Sequence, residues 1–565
     1  MRPSQGEHPF EEALKLHRAG DLDAAEKLYH RVLEGQPSHF DSLRLLGVIE
    51  QQRGNYTAAV RQIEAALATN PNIAEGFNSL GIALRKLKKL DEAVASFDRA
   101  ITLRPVYAKA FYNRGGALQD LRRLDEALAS YDKAIALEPS CAASFNSRGN
   151  ALKDMQRLNE ALTSYDQAIV LNPGFADAHK NRASVLQQMW RLEEAVASYD
   201  QAIALNAAFA EAFNNRGSAL HELGRMDEAL SNYDRAIVLK PQFGNAYVNR
   251  AMTRLLVGRL QEGWEDSEWR WRANGLPVER AGVHARTWQG EDLFGQTILV
   301  WSEQGLGDVI QFARYLPLLA QRGAKVTFLA PAKLVRLLRS LSSEIEVVSS
   351  LEPASTFDFQ SALMSVPFRY GTSLPCIPCS VPYLSAEADL VSRWAGHMVG
   401  RFSIGIAWQG NPNQRLDYGR SIPLVEFDAL AHLPGVRLIS LQKKDGLDQR
   451  ANLSAAGNVE FLSDLDNGPD AFIDTAAVMA NLDLVITSDT SIAHLAGALG
   501  RPTWVALKHV PDWRWLMNGE DCPWYPTMRL FRQKTAGDWK SVFLTIEKFL
   551  KDNHLAPSAA HSRHR

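Results

Sequence analysis

A 34-residue repeat constrains the first half of this chain more than any other feature of its sequence. Prolines recur at that interval or its multiple, with Ala207 in the one missing slot: Pro37, Pro71, Pro105, Pro139, Pro173 and Pro241. Each interval also holds a small residue, an alanine and an aromatic residue at fixed positions, for example Gly115, Ala127 and Tyr131. The period predicts about eight units over residues 8–272, each a pair of antiparallel helices.

The period and its signature positions are similar to those of the tetratricopeptide repeat. Small residues fit where two helices cross closely, the aromatic residue fills the gap to the next unit, and proline ends the second helix because it cannot extend it. No unit buries its apolar face alone, so the units are expected to stack into an α-solenoid with a long concave groove.

Asparagines recur at one phase of the first helix of these units: Asn113, Asn181, Asn215 and Asn249. Tetratricopeptide arrays face that helix into the groove, so the amides would form a ladder that can donate to and accept from an extended peptide. The pattern resembles the asparagine ladder of the O-GlcNAc transferase superhelix, which implies a protein or peptide ligand. The alternative is that asparagine is simply tolerated at this phase.

Charge and apolar patterning exclude several classes of function. The 62 basic and 64 acidic residues give a pI near 6.7, so the chain has no net positive charge that would attract nucleic acid. No run of about eighteen apolar residues could span a membrane, and residues 1–12 lack the apolar core of a signal peptide. The four cysteines imply no disulfide framework. We therefore expect a cytoplasmic protein with no membrane span.

The second half of the chain alternates strand-like and helix-like segments. After a glycine-rich linker at 273–295, residues 297–302 and 325–329 are typical of strands, and residues 309–322 of one amphipathic helix. This alternation predicts a parallel sheet with ligands at the carboxyl ends of its strands.

A second set of such segments begins at residue 402. We therefore predict two Rossmann-like domains, residues 296–385 and 386–552, the second closed by a helix at 539–550. A disordered tail is predicted for residues 553–565.

The most informative stretch of this half is residues 484–500, whose pattern predicts a strand, a tight turn and a helix. The first N–H groups of a helix have no partner within it and the helix dipole adds positive charge, so a phosphate can bind there. Thr490 and Ser491 could add hydroxyl donors, and His494 lies one turn along the same face as Thr490. Asp489 suits a phosphate less well, and its alternative role is to cap the helix.

Together the motifs of residues 296–550 resemble glycosyltransferases of the heptosyltransferase type. The matching residues are Gly307-Asp308 at the first strand-to-helix turn, Gly405-Ile406-Ala407-Trp408, Arg420 before an Ile-Pro, and the stretch from Asp489 to Pro502. The resemblance implies the GT-B fold of two facing Rossmann-like domains. It also implies inverting transfer of a sugar from a nucleotide diphosphate donor, with no cofactor and no required metal.

The resemblance also implies roles for particular residues. Asp308 is expected to be the general base on the acceptor hydroxyl; the alternative is that it caps its helix. The residues expected at the donor are Gly307, Gln409, Arg420, Asp489, Thr490, Ser491 and His494.

Two functions of different classes fit these features. The first is a glycosyltransferase whose solenoid presents a protein, peptide or glycan acceptor to the GT-B module. The second is an adaptor whose GT-B half binds a nucleotide or nothing, while the groove assembles partner proteins. The substitution Asp308→Ala separates them, because an enzyme would lose turnover and an adaptor would not. A third possibility is that the repeats serve only to form a homodimer.

Overall fold

The computed structural model describes residues 7–275, 282–352, 355–398, 400–412, 419–453 and 459–555. The chain divides into two compact units, Met1–Ala219 and Leu220–Arg565. Within the described residues, none of the helices has both the length and the apolar character that a bilayer-spanning segment needs.

Sixteen helices lie between residues 7 and 267, and they form the helical solenoid that the repeat predicts; the number of repeat units stays a prediction. Their bounds are α1 (Glu7–Ala19), α2 (Leu22–Gly35), α3 (Phe40–Gln52), α4 (Tyr56–Thr69), α5 (Ala74–Lys86), α6 (Leu90–Leu103), α7 (Ala108–Asp120), α8 (Leu124–Leu137), α9 (Ala142–Asp154), α10 (Leu158–Leu171), α11 (Ala176–Gln188), α12 (Leu192–Leu205), α13 (Ala210–Glu222), α14 (Met226–Leu239), α15 (Gly244–Leu256) and α16 (Leu260–Ser267). The boundary between the two units falls inside α13.

The repeated glycine allows the two helices of a unit to cross closely. A Cβ atom on Gly115 of α7 would lie 2.7 Å from Cε1 of Tyr131 in α8, and one on Gly149 of α9 would lie 2.6 Å from Cε1 of Tyr165 in α10. Both tyrosine rings are buried. The small residue and the aromatic residue of the repeat therefore form one complementary contact within a unit, whereas the sequence analysis expects the aromatic ring to face the next unit.

The second unit contains two parallel sheets. Its strands are β1 (His284–Thr287), β2 (Thr297–Trp301), β3 (Lys325–Leu329), β4 (Ile345–Val348), β5 (Thr356–Ala362), β6 (Phe402–Ala407), β7 (Val436–Ser440), β8 (Val459–Phe461), β9 (Leu484–Ser488), β10 (Thr503–Leu507) and β11 (Met528–Arg532). Its further helices are α17 (Arg270–Ala273), α18 (Leu306–Phe312), α19 (Tyr315–Gln321), α20 (Val335–Leu338), α21 (Val366–Tyr370), α22 (Ala388–Ala395), α23 (Asp428–Ala431), α24 (Ile473–Ala480), α25 (Ser491–Ala498) and α26 (Trp539–Leu550).

The strand order of the second sheet determines where a ligand can bind. The first sheet has the order β1-β5-β2-β3-β4, and the second has β11-β10-β9-β6-β7-β8. The second order is that of a doubly wound sheet, and its direction reverses between β6 and β9. Ala407 of β6 pairs with Thr487 of β9, so the loops after both strands leave the sheet at the same edge. A crevice at this reversal is where such sheets bind ligands.

Several element boundaries differ from the sequence predictions. Strand β3 has the predicted bounds, but the single helix predicted at 309–322 is two helices, α18 and α19. Pro317 explains the break, because its ring has no N–H to donate and would clash with the carbonyl of Ala313. The predicted linker at 273–295 contributes β1, which pairs with β5.

The end of the chain and the end of the repeats also bear on the predicted boundaries. A π-helical turn, Lys551–Leu555, follows α26, and the rest of the predicted tail lies outside the described residues.

Within the second unit, Trp264 of α16 donates from Nε1 to the carbonyl of Thr372 at 3.1 Å and meets the ring of Trp513 edge-on at 5.2 Å. The last repeat helices therefore pack directly against the α/β region.

Candidate functional site

A cavity of about 100 Å³ lies where the loops after β9 and β10 meet the last repeats. Arg420 and Asp489, two of the residues expected at a donor, both line it, together with Lys508 and Asp512 from the segment after β10. All of these residues belong to the second unit. The cavity therefore adjoins the strand-order reversal that the sheet topology marks as a ligand site.

Residues of the repeat helices form another wall of the same cavity. His221 and Glu222 end α13, and Met252 lies in α15. His221 is held in place by Thr253, whose Oγ1 lies 2.8 Å from its Nδ1. A group bound in this cavity would thus touch both the α/β region and the repeat region.

The carboxyl group of Asp489 sits in an environment that resists its ionisation. Burial, followed by the negative charge of Asp512, raises the pKa of Asp489 to about 6, while the positive charges of Arg420 and Arg514 act against this rise. At neutral pH the group is ionised but is a stronger proton acceptor than an ordinary carboxylate.

Arg514 connects the charged residues around the cavity. Its Nη atoms bond Asp512 Oδ1 at 2.8 Å and the carboxylate of Asp308, and its Nε donates to Gln311 Oε1 at 2.6 Å. Burial opposes the charge of Arg514, but Asp512 and Asp308 outweigh that effect and raise its pKa. Arg514 therefore stays charged and fixes its three partners.

Asp308 uses both of its carboxylate oxygens within this network. Oδ2 accepts a hydrogen bond from the N–H of Gly305 at 2.9 Å and completes the cap of α18, and Oδ1 accepts from Arg514. The helix-capping alternative for Asp308 is therefore confirmed. Its role as a general base stays a prediction.

The structure brings together two motifs that are far apart in the sequence. Helix α18 packs against α25, and a Cβ atom on Gly307 would lie 3.3 Å from Cα of Ser491 and 3.2 Å from Cδ2 of His494. Gly307 is thus a close-packing residue at the start of α25. Its lack of a side chain lets the two strand-to-helix turns meet.

His494 is a packing residue in this interface. Its side chain is buried, its ring stacks on Trp515 at 5.4 Å, and Nδ1 lies 3.2 Å from the hydroxyl of Tyr525. Burial, with the charges of Arg514 and Arg314, holds the pKa of His494 well below its usual value. The imidazole is therefore neutral and brings no positive charge to the phosphate contact expected of it.

The turn before α25 differs in one respect from the sequence analysis. Thr490, not Asp489, is the N-cap residue, and its side chain makes no capping hydrogen bond. The alternative that Asp489 caps the helix is therefore wrong, because the extended backbone of Thr490 comes between the strand and the helix and Asp489 faces the cavity instead. Ser491 is the first residue of α25, as expected.

Gln409 binds neighbouring loops. Its Oε1 accepts from Nε2 of Gln449 at 2.8 Å, and its backbone N–H donates to Oε1 of Gln442 at 3.1 Å. These bonds join the loop after β6 to the loops after β7. The side-chain oxygen that was expected at a donor is thus engaged within the protein.

In the first unit, asparagines of the predicted ladder join successive repeats. Asn113 donates from Nδ2 to Oδ1 of Asn78 at 2.9 Å, and Asn181 donates to Oδ1 of Asn146 at 3.0 Å. Each bond connects the first helices of neighbouring units. At this phase the amides therefore contribute to stacking of the repeats.

The same face of the first unit contains a polar cavity of about 430 Å³. Asn181 and Asn146 line it, beside Asn150, Lys153 and Lys180. Of the other two ladder residues, Asn215 accepts from Asn214 Nδ2 at 3.0 Å, and Asn249 of the second unit accepts through its carbonyl from Thr253 Oγ1 at 3.1 Å.

Sequence reasoning missed several residues of the main cavity. Lys508 directly follows β10, so the rule that ligands bind at the carboxyl ends of parallel strands could have found it. Arg514 and Asp512 belong to a tryptophan-containing segment, residues 512–515, to which the sequence analysis assigns no role. No sequence signal identifies His221 or Glu222, because they belong to an ordinary repeat helix.

Comparisons with known proteins concern the repeats. Tetratricopeptide-repeat models match residues 10–72, 49–108, 78–141 and 210–243, and a TPR repeat model matches residues 149–189 and 191–224. The first part of this chain is a tetratricopeptide-repeat array. The chain is also 25% identical over 320 residues to Protein FlbA of Caulobacter vibrioides, and the aligned region covers 52% of this chain and 52% of FlbA. It thus spans about half the length of this curated relative.

Solved structures of tetratricopeptide-repeat proteins are similar to parts of the chain. PilF of Pseudomonas aeruginosa is 21% identical, with 37% of this chain and 94% of PilF covered and a TM-score of 0.34. YrrB, described as a TPR protein with an unusual peptide-binding site, is 23% identical, with 33% of this chain and 95% of YrrB covered and a TM-score of 0.28.

Proposed function

We propose that this chain is a glycosyltransferase with a GT-B module, and that it moves a sugar from a nucleotide diphosphate donor to an acceptor presented by the tetratricopeptide array. The observation that supports this proposal best is the cavity that Arg420 and Asp489 share with His221 and Glu222. An enzyme that receives its acceptor from the repeats needs a reaction site that both parts of the chain line.

The donor side of the proposal rests on Arg420 and the start of α25. Departure of a nucleoside diphosphate places negative charge on a phosphate oxygen, and a guanidinium stabilises that charge with two hydrogen bonds. The N–H groups at Thr490 and Ser491 lie near the same edge of the sheet and add the positive end of the helix dipole. Together they offer positive charge without a metal ion, as the family resemblance implies.

The acceptor side of the proposal rests on the polar face of the repeats. In the first unit, the cavity of about 430 Å³ offers amide and ammonium groups suited to an extended peptide backbone. We propose that a protein or peptide acceptor binds along this face of the repeats.

Calorimetric titration of the full-length chain with nucleoside mono- and diphosphates tests the donor site. We expect one nucleotide to bind, and expect Arg420→Ala to weaken it by about tenfold or more, because a hydrogen bond to a charged group contributes about 1.5–3 kcal/mol. Arg401→Ala is the matched control, since Arg401 is exposed. Equal affinity in the two variants would contradict a donor contact at Arg420.

The rival function is an adaptor, and the hydrogen bonds that already hold the side chains of Asp308 and Gln409 within the protein favour it. An adaptor with a vestigial module would bind a nucleotide or none and would release no nucleotide from any nucleotide sugar. The two functions therefore differ in turnover rather than in binding.

A further inference from the structure

Asp308 and Asp489 differ in their position relative to the cavity, because Asp489 is one of its lining residues and Asp308 is not. Asp489 lines the cavity that also contains Arg420. Asp308 is bound through one oxygen to the N–H of Gly305 and through the other to Arg514. A general base must come within hydrogen-bond distance of the proton that it removes. We propose that Asp489, and not Asp308, is the general base that deprotonates the acceptor hydroxyl, an inference that rests on the proposed function.

The charged groups around Asp489 suit that task. Three charged residues act on Asp489: Asp512 of the segment after β10, Arg420 of the loop before Ile422, and Arg514, which is hydrogen-bonded to Asp512. Lys508 of that segment lines the same cavity. Burial and the charge of Asp512 raise the pKa of Asp489 to about 6, so it is a stronger base than an exposed carboxylate and is still ionised at neutral pH.

Two further groups of the repeat region, His221 and Glu222, face Asp489 across the cavity. Burial lowers the pKa of His221, so this side chain is neutral at pH 7 and does not compete as a positive partner for Asp489. On the α25 side, His494 is neutral for the same physical reason. The nearby charges that set the proton affinity of Asp489 are thus those of Asp512, Arg420 and Arg514.

The proposed step balances as an inverting displacement. The proton of the acceptor hydroxyl passes to a carboxylate oxygen of Asp489 while the acceptor oxygen forms a bond to the anomeric carbon. The bond from that carbon to the phosphate oxygen breaks, and its electron pair stays on the nucleoside diphosphate, whose added charge Arg420 offsets.

Asp308 acquires a different role in this arrangement. Its charge holds the guanidinium of Arg514, and Arg514 in turn holds Asp512, the carboxylate whose charge raises the proton affinity of Asp489. Asp308 is therefore a positioning residue. Its removal should change the rate less than removal of Asp489 does.

The test is the pH dependence of nucleotide release from a panel of nucleotide sugars by the full-length chain. Water serves as the acceptor in this assay, and the same base must act on it. We expect wild type to show an acid limb near pH 6, and expect Asp489→Asn to lower kcat by roughly 100- to 10,000-fold and to remove that limb. Nucleotide affinity of this variant, measured by calorimetry, should change by less than about threefold, which also shows that it folds.

Three further variants make the assignment specific. Asp308→Asn should keep the acid limb and lose less than about tenfold in kcat, because general-base catalysis alone is worth more than that. Asp512→Asn should move the limb to lower pH, since it removes the charge that raises the pKa of Asp489. Asp445→Asn is the matched control, because Asp445 is exposed and its kinetics should equal those of wild type.

The outcomes separate this inference from the proposed function. If Asp489→Asn keeps the acid limb in its residual activity, or if Asp308→Asn alone abolishes the limb, the base is not Asp489 and the glycosyltransferase proposal stands. If wild type releases no nucleotide from any donor, the proposed function fails and this inference fails with it.

Discussion

Two adjacent glycines of α7 should respond in opposite ways to the same substitution. Gly115 and Gly116 both lie inside the helix, so replacing either with alanine gains about 1 kcal/mol of helix propensity. They differ in what the added methyl group meets. At Gly115 it would lie 2.7 Å from Cε1 and 2.9 Å from Cδ1 of Tyr131, whose ring is buried and cannot move aside.

The structure gives the magnitude of each effect. Overpacking against the Tyr131 ring costs about 1–3 kcal/mol, so Gly115→Ala should be neutral to about 2 kcal/mol destabilising after the propensity gain. At Gly116 the methyl group meets the guanidinium of Arg85, with Cζ at 2.8 Å. That group is the end of a flexible chain, and its ion pair with Asp120 is partly exposed and contributes less than about 1 kcal/mol. Gly116→Ala should therefore be neutral to slightly stabilising.

Native-state hydrogen exchange of the full-length chain measures this difference where it arises. Amides of α7 and α8 report the free energy of local opening of this repeat. The overpacking cost, less the ion-pair loss at Arg85, leaves a difference of up to about 3 kcal/mol, which corresponds to up to roughly 150-fold slower exchange in Gly116→Ala than in Gly115→Ala. Greater protection in Gly115→Ala than in Gly116→Ala would refute the close glycine–tyrosine contact.

Three further substitutions test the packing of the site and of the repeats. The pKa of His494 is lower in the folded than in the unfolded chain, so the unfolded chain binds more protons below about pH 6.5. The free energy of unfolding of wild type, measured with denaturant, should therefore fall relative to that of His494→Gln as the pH is lowered from this value. Parallel plots of unfolding free energy against pH for the two proteins would show that the ring is not buried. Arg514→Met removes the ion-pair partner of the Asp308 carboxylate and should lower the free energy of unfolding by about 3–5 kcal/mol. The melting temperature measures this loss. A loss below about 1 kcal/mol would mean that water solvates the ion-pair network. Asn181→Ala removes an inter-repeat hydrogen bond to Asn146 and should speed amide exchange in α9 and α11 by an amount equivalent to about 1 kcal/mol; unchanged exchange would indicate that the bond contributes nothing.

The repeat region could be predicted from the sequence because its structure is local. The 34-residue period indicates that the positions of Gly115 and Tyr131 are packing positions, but the structure is needed to show that they meet each other within one helix pair. The strand β3 and the turn into α25 were predictable for the same reason. A local feature that was missed is Pro317, which splits the predicted helix and whose effect follows directly from its missing N–H.

The candidate site was less predictable because its contacts join distant segments. No sequence pattern indicates that Arg514 pairs with Asp308 or that Gly307 packs on Ser491, since both contacts depend on how α18 and α25 meet. Gln409 and His494 were expected at the donor because of the family resemblance, and the structure shows them hydrogen-bonded within the protein. The wall contributed by His221 and Glu222 likewise depends on how the last repeats pack.

The most direct test of the account is nucleotide release from nucleotide sugars. The full-length chain would be incubated with each donor of a panel, and the free nucleotide would be quantified for wild type, Arg420→Ala and the exposed control Arg401→Ala. The account predicts steady release from donors of one nucleotide by wild type and by the control, and at least about tenfold slower release by Arg420→Ala. Release from no donor, by a protein that still binds the nucleotide, would contradict the glycosyltransferase proposal and favour the adaptor.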